Sequence, residues 1–178
     1  MPRIPYLPAD IAEPAELVAA IRQRRGGELI NLDRLLLYSP PVAAGWNQLL
    51  GAVRRQLQLS PYLREVAMCV VAVLNGAEYE FVHHAPELLA AGGSDAQVQA
   101  LRRPEHAATD ATLFDEITRD AIRLTVSLTR DVSADDELMK RLRDQLGDRE
   151  LFELVTTIAA YNMVSRMIVA LQIEPENH

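Results

Sequence analysis

Four residues near the middle of the sequence carry most of its reactive chemistry: Glu65, Cys69, Glu80 and His84. Glu65 and Cys69 lie four apart, as do Glu80 and His84, so on helices each pair shares a face. Between the pairs sits Asn75-Gly76, a strong chain-reversal signal. A reversal there makes an αα-hairpin of the two flanking helices, with Glu65 opposite His84 or its neighbours and Cys69 opposite Glu80. A single straight helix would instead hold Glu65 and Glu80 about 22 Å apart, from the rise per residue. A partly buried carboxylate beside an imidazole suits proton transfer: burial raises the carboxyl pKa, an imidazolium lowers it, and the pair exchanges a proton near neutrality. An intrahelical Glu–His contact on a solvated face has the same spacing, so the residues alone leave both readings standing.

The elements that must position these residues are helices throughout; strand signals are nearly absent. A proline-rich arm over residues 1–12 precedes a helix from Pro14 to Arg25, stopped by Gly26-Gly27. A short helical turn over Leu32–Tyr38 ends at Pro40-Pro41, followed by a helix from Val42 to Leu57. Ser60-Pro61 supplies an N-cap and first-turn proline for a helix reaching Leu74. The next runs from Ala77 to Ala91 and stops at Gly92-Gly93, and Ser94 caps a short helix through Leu101. Pro104 and Thr109-Asp110 mark a loop before a long helix over Ala111–Thr129. Ser133 with Asp136 reads as a capping box for a helix ending at Gly147, and Asp148 caps the last helix, to Gln172. That last helix is apolar around most of its circumference, which predicts burial in the core and at a subunit contact. The chain is expected to be a single all-α domain over residues 1–178.

Composition narrows the function classes. The net charge is −7 and the acidic residues are dispersed; Arg24-Arg25 and Arg102-Arg103 are too short to make the basic stripe a nucleic acid requires. With one cysteine in 178 residues no intrachain disulfide is available, which fits a reducing, cytoplasmic setting. Residues 1–8 hold three prolines and no apolar run, unlike a signal peptide. The uncharged stretch from Leu154 to Ser165 is short for a bilayer span. The expected partners are a small-molecule substrate and further copies of the chain, with no nucleic acid and no membrane.

The string Arg64-Glu65, then Leu74-Asn75-Gly76-Ala77-Glu78-Tyr79-Glu80-Phe81-Val82-His83-His84 and Ala90-Ala91-Gly92, resembles the carboxymuconolactone decarboxylase family. That family shares its helical fold with the alkylhydroperoxidase D group. The motif core covers residues 60–101. The resemblance implies an alkylhydroperoxidase D-like bundle around a central helical hairpin and a homo-oligomer, trimer or hexamer. In the peroxidase branch a Cys-x-x-Cys-x-x-x-His motif follows an upstream Glu. Here the two cysteine positions fall on Ala77 and Glu80, while the acid and the histidine are kept as Glu65 and His84. Dithiol peroxide reduction needs a resolving sulfur, and the motif has none. Cys69 sits in an apolar run and reads as an inert core thiol.

What the resemblance leaves is acid–base chemistry on a small organic acid or lactone. His84 is the general acid or base, Glu65 orients it, and Glu80 is a second proton carrier. Arg64 and Arg166 are candidate anchors for a substrate carboxylate, each equally an ordinary ion-pair residue. Tyr79 and His83 flank the site as packing or surface positions. No cofactor and no metal is expected, although Glu80/His84 with Glu65 has ligand-like spacing; a di-iron site would need a second Glu-x-x-His string, and Glu105-His106 does not supply one. His106 and His178 read as surface residues, Phe114 as core, and Trp46 as either core or pocket lining. Two other readings stay open: an alkylhydroperoxidase-like peroxide-reducing protein, and a non-catalytic oligomeric binding protein.

Overall fold

The structure, a computed structural model, describes residues 1–176; the expectation for His178 lies outside them. All regular elements among the described residues are helices, and these residues sort into two compact units: Met1–Gln56 with the residues from Ala170 on, and Leu57–Val169.

The first unit holds α1 (Ala15–Arg25), α2 (Asn31–Leu36) and α3 (Pro40–Arg55). Helix α3 starts two residues earlier than the spacing predicts, because Pro40 and Pro41 both fit its first turn, where no backbone N–H is needed. The N-terminal arm has no helix of its own but is pinned by hydrogen bonds. Arg3 N donates to Leu171 O at 2.9 Å, Tyr38 Oη to Pro5 O at 2.9 Å, and Arg22 Nη2 to Ala9 O at 2.8 Å. The buried Asp33 carboxylate accepts from Arg25 at 2.9 Å and from Arg24 at 3.2 Å. Trp46 is buried, and its indole N–H has no acceptor among the described residues.

The second unit contains α4 (Pro61–Leu74), α5 (Glu78–Ala90), α6 (Asp95–Ala100), α7 (Pro104–Ala107), α8 (Glu116–Arg130) and, through Val169, α9 (Asp136–Leu171). The α4/α5 hairpin closes as Asn75-Gly76 predicts. Gly76 takes φ +66°, a left-handed value that costs glycine little. Ala77 N bonds back to Ala72 O at 2.8 Å and Gly76 N to Val73 O at 3.2 Å, which together form a Schellman motif. Helix α5 ends in the same way, with Gly93 N on Leu88 O at 2.9 Å. A Cβ on Gly93 would lie 2.9 Å from the Leu88 carbonyl oxygen and its side chain. Gly93→Ala is therefore expected to destabilise the protein by about 1–3 kcal/mol, the cost of overpacking, read as an earlier urea midpoint with an unchanged slope.

Three boundaries differ from expectation for local reasons. Helix α8 begins at Glu116, not near Ala111, because Asp115 caps it through Thr118 N at 3.0 Å. Asp110 meanwhile holds a turn through Thr112 N at 2.9 Å. The loop expected at Pro104 contains the single-turn α7. At the start of α9 the cap is Asp135, whose carboxylate accepts from Leu138 N at 3.0 Å, rather than Ser133. The predicted break at Gly147 is present as φ +76°, ψ 171° inside α9.

After Gly147, α9 buries Leu151, Leu154, Ile158, Tyr161, Val164 and Ile168 and leaves Phe152, Met163 and Val169 exposed. By length and composition α9 would also pass for a membrane span, but half of that window is buried within the protein, as in a core helix. One apolar cluster of this unit gathers Val66, Cys69 and Val70 of α4, Phe81 and Leu88 of α5, and Ile122 of α8. Phe114 joins it as core.

Candidate active site

Helix α4 is fixed at both ends. Ser60 Oγ accepts from Leu63 N at 3.1 Å, as an N-cap. Just before it, Gln58 N and Leu59 N both donate to the buried Glu153 carboxylate of α9 at 2.7 Å, and Arg149 adds a bond to the same group at 3.0 Å. At the other end Asn75, the α4 C-cap, donates to Asn162 Oδ1 at 3.0 Å and to Ser165 Oγ at 2.7 Å. Helix α5 is held from outside by Arg102. Its guanidinium stacks over the Phe81 ring, 3.6 Å from the centroid, and makes two bonds to Glu78 at 2.6 and 2.8 Å.

Between these anchors the hairpin brings the predicted residues together. The His84 Nδ1···Glu65 Oε2 distance is 2.7 Å, and both side chains are buried. Arg64 Nε donates to the other Glu65 oxygen at 3.3 Å, so Arg64 is engaged with the catalytic candidate itself. Glu80 is buried one turn before His84 on α5. The Tyr161 ring of α9 stands edge-on to His84, centroids 4.9 Å apart and planes 83° apart. One wall of the imidazole is thus aromatic and dry.

The electrostatics follow the geometry. Burial pushes the Glu65 carboxyl up, but the His84 hydrogen bond and charge, joined by Arg64, outweigh it, and the net displacement is downward. Glu65 is therefore an anion at neutral pH, suited to hold and stabilise an imidazolium. Cys69 shows the opposite. It is fully buried, and burial pushes its thiol well up, with the Glu65 and Glu80 carboxylates adding to the effect. That both carboxylates act on Cys69 agrees with the facing layer read from the spacing. A thiol so placed stays protonated at neutral pH. We expect the native protein to leave Cys69 unmodified by a thiol reagent that labels the urea-unfolded chain at once, and Cys69→Ser to keep wild-type turnover.

The other candidates fall outside this layer. Arg166 is exposed and donates to Asn162 O and Oδ1, both at 2.8 Å, as part of the α9 polar cluster. The His83 Nδ1···Tyr79 O distance is 2.7 Å, and the two rings stack 4.4 Å apart, a packing arrangement along α5. His106 is exposed on α7. Among the described residues no three His, Cys, Asp or Glu side chains are grouped so as to hold a metal ion. Sequence spacing does not point to Glu153, Tyr161, Asn162 or Ser165 of α9. Their only sequence signal is polar residues set into the apolar last helix, where a buried polar group requires partners.

Residues 40–114 match the carboxymuconolactone decarboxylase family. None of the curated proteins matches the chain. Solved structures match its fold. A peroxidase-related protein from Silicibacter sp. TM1040 is 18% identical, with TM-score 0.77 over 98% of this chain and 89% of that one. The debrominase Bmp8 in its apo form is 17% identical, with TM-score 0.78 over 96% and 90%. The alkylhydroperoxidase AhpD core of a peroxidase-related protein from Ralstonia eutropha JMP134 is 14% identical, with TM-score 0.77 over 99% and 93%. Over residues 40–114 the chain is thus similar to the carboxymuconolactone decarboxylase family, and it has an alkylhydroperoxidase D-like fold without the Cys-x-x-Cys pair of the peroxidase branch.

Proposed function

We propose that this protein is an enzyme that uses Glu65, His84 and Glu80 for proton transfer on a small organic acid or lactone. The observation that carries this reading is the buried 2.7 Å contact between Glu65 and His84. In a decarboxylation, the bond from the substrate carbon to its carboxylate breaks, carbon dioxide leaves, and the electron pair stays on the carbon. Protonated His84 then gives its proton to that carbon through Nε2, since Nδ1 is engaged by Glu65. Glu65 stabilises the imidazolium beforehand and fixes the tautomer afterwards. His84 regains its proton from water or through Glu80. A debrominase of the same fold has been crystallised with 2,3,4-tribromopyrrole, which supports a substrate of comparable size.

The test is a thermal-shift screen against small carboxylates and lactones, with His84→Ala alongside. A ligand at a hundred times its dissociation constant stabilises by about 2.7 kcal/mol. The reading expects a hit in the wild type that is lost in the variant; a hit retained at full strength contradicts it. A second reading, peroxide reduction, takes its support from the peroxidase-related structures, and the burial of Cys69 opposes a thiol route for it.

The proposal includes a cytoplasmic homo-oligomer. The exposed Phe152, Met163 and Val169 on α9 support it, since apolar side chains grouped on one helix are costly to leave wetted. Sedimentation velocity is expected to show a species several times the 19.8 kDa chain mass.

A further inference from the structure

A cleft of about 370 Å³ in the Leu57–Val169 unit opposes the sign of the chain as a whole. It is lined by Val73 and Leu74 from the end of α4 and by Arg102, Arg103, His106 and Arg130, with Glu105 as the one acid. A protein of net charge −7 thus gathers three guanidiniums and an imidazole around one carboxylate.

The three arginines differ in how they are held. Arg102 is locked by its paired bonds to Glu78 and by its stack on Phe81. Arg130 is paired with Glu105 at the rim. Both guanidiniums stay substantially exposed, at 40% and 53% of the side chain, so an incoming anion reaches them. Arg103 is exposed and has no carboxylate at ion-pair distance among the described residues. Arg103 thus brings the uncompensated charge to a cleft also lined by Arg102 and Arg130, two cations already held by their partners.

The ligand chemistry follows from donor number. One guanidinium saturates a carboxylate through a two-bond fork. Three guanidiniums around one cleft offer more donors than a carboxylate accepts, whereas a phosphate group brings three terminal oxygens and close to two charges. We propose that this cleft binds the phosphate group of a small phosphate-bearing ligand, with Arg103 as the principal contact. The cleft shares no lining residue with the Glu65–His84 pair, and a ligand there competes with Glu105 for Arg130.

Calorimetric titration at constant ionic strength tests this with inorganic phosphate, phenyl phosphate and acetate. Wild type is expected to bind inorganic phosphate at least about tenfold more tightly than acetate, and Arg103→Gln to lose about tenfold, the range of one charge-assisted bond. Arg103→Lys, which keeps the charge without the fork, should fall between. Tighter binding of phenyl phosphate identifies an organic phosphate resting on Val73 and Leu74; equal binding identifies free phosphate. His84→Ala should bind phosphate as the wild type does, even if the proton-transfer reading fails. The proposal is overturned if phosphate binds no better than acetate, if Arg103→Gln binds like wild type, or if His84→Ala abolishes the binding.

Discussion

Glu65→Gln and His84→Ala are each expected to lower turnover by about 10²–10⁴-fold, the usual contribution of a positioned acid or base, with the fold retained. Glutamine is nearly isosteric and still presents an oxygen to His84 Nδ1, so the 2.7 Å contact survives. What is lost is the negative charge that stabilises the imidazolium at the moment it must give up its proton. Geometry and charge are thereby separated. If Glu65 served only to hold the ring, the glutamine variant would keep most of its activity. His84→Ala removes the proton donor outright, and added imidazole in the assay is expected to restore part of the rate. The double variant should be little worse than the worse single one, because residues acting as one unit are not additive.

The largest stability effect is expected far from the chemistry, at Glu153. Its carboxylate accepts from Gln58 N and Leu59 N at 2.7 Å each, and Leu59 is fully buried. Glu153→Ala leaves these two backbone donors without an acceptor, which costs about 3 kcal/mol in total. For a chain of this size that is a fall in melting temperature of about 6–12 °C. Glu153→Gln, which keeps one acceptor oxygen, should lose less than half as much. Because these bonds set the start of α4, Glu153→Ala should also loosen Glu65 and slow turnover at temperatures where the fold is intact.

Glu65 and Glu153 also give the protein an acid limb. Burial raises both carboxyls, but the bonds each accepts, from His84 and Arg64 in one case and from Leu59, Arg149 and Gln58 in the other, bring both below their ordinary 4.5. A depressed folded-state value means that the unfolded chain binds more protons in that window. The stabilisation is therefore fully present above about pH 4.5 and is lost as pH falls through the folded-state values. Denaturation midpoints followed from pH 6 downward should fall steeply below 4.5 in the wild type and less steeply in Glu65→Gln or Glu153→Gln.

The hairpin was legible in the sequence because its signals are local. Ser60-Pro61, Asn75-Gly76 and Gly92-Gly93 each write a cap or a stop within a few residues, and helical periodicity then puts Glu65 and His84 on facing sides. The partners that lock the site were not legible for the opposite reason. Glu153 caps a segment 94 and 95 positions earlier, and Asn162 and Ser165 meet Asn75 across 87 and 90 positions. Nothing in local spacing encodes such pairings. The helix that carries these residues, with Tyr161 among them, reads simply as apolar. Helix α8 starts later than the spacing predicts because Asp115 caps it through Thr118 N while Asp110 holds a separate turn through Thr112 N.

In the proposed mechanism the Glu65–His84 pair delivers a proton to substrate carbon. Turnover in heavy water of a small carboxylate or lactone that binds the wild type in the ligand screen, with deuterium incorporation into the product followed by NMR, reads this transfer at the reacting carbon. Incorporation is expected at the carbon that lost its carboxylate, with a rate reduced about 10²-fold or more in both Glu65→Gln and His84→Ala. Incorporation at the wild-type rate in His84→Ala would contradict it.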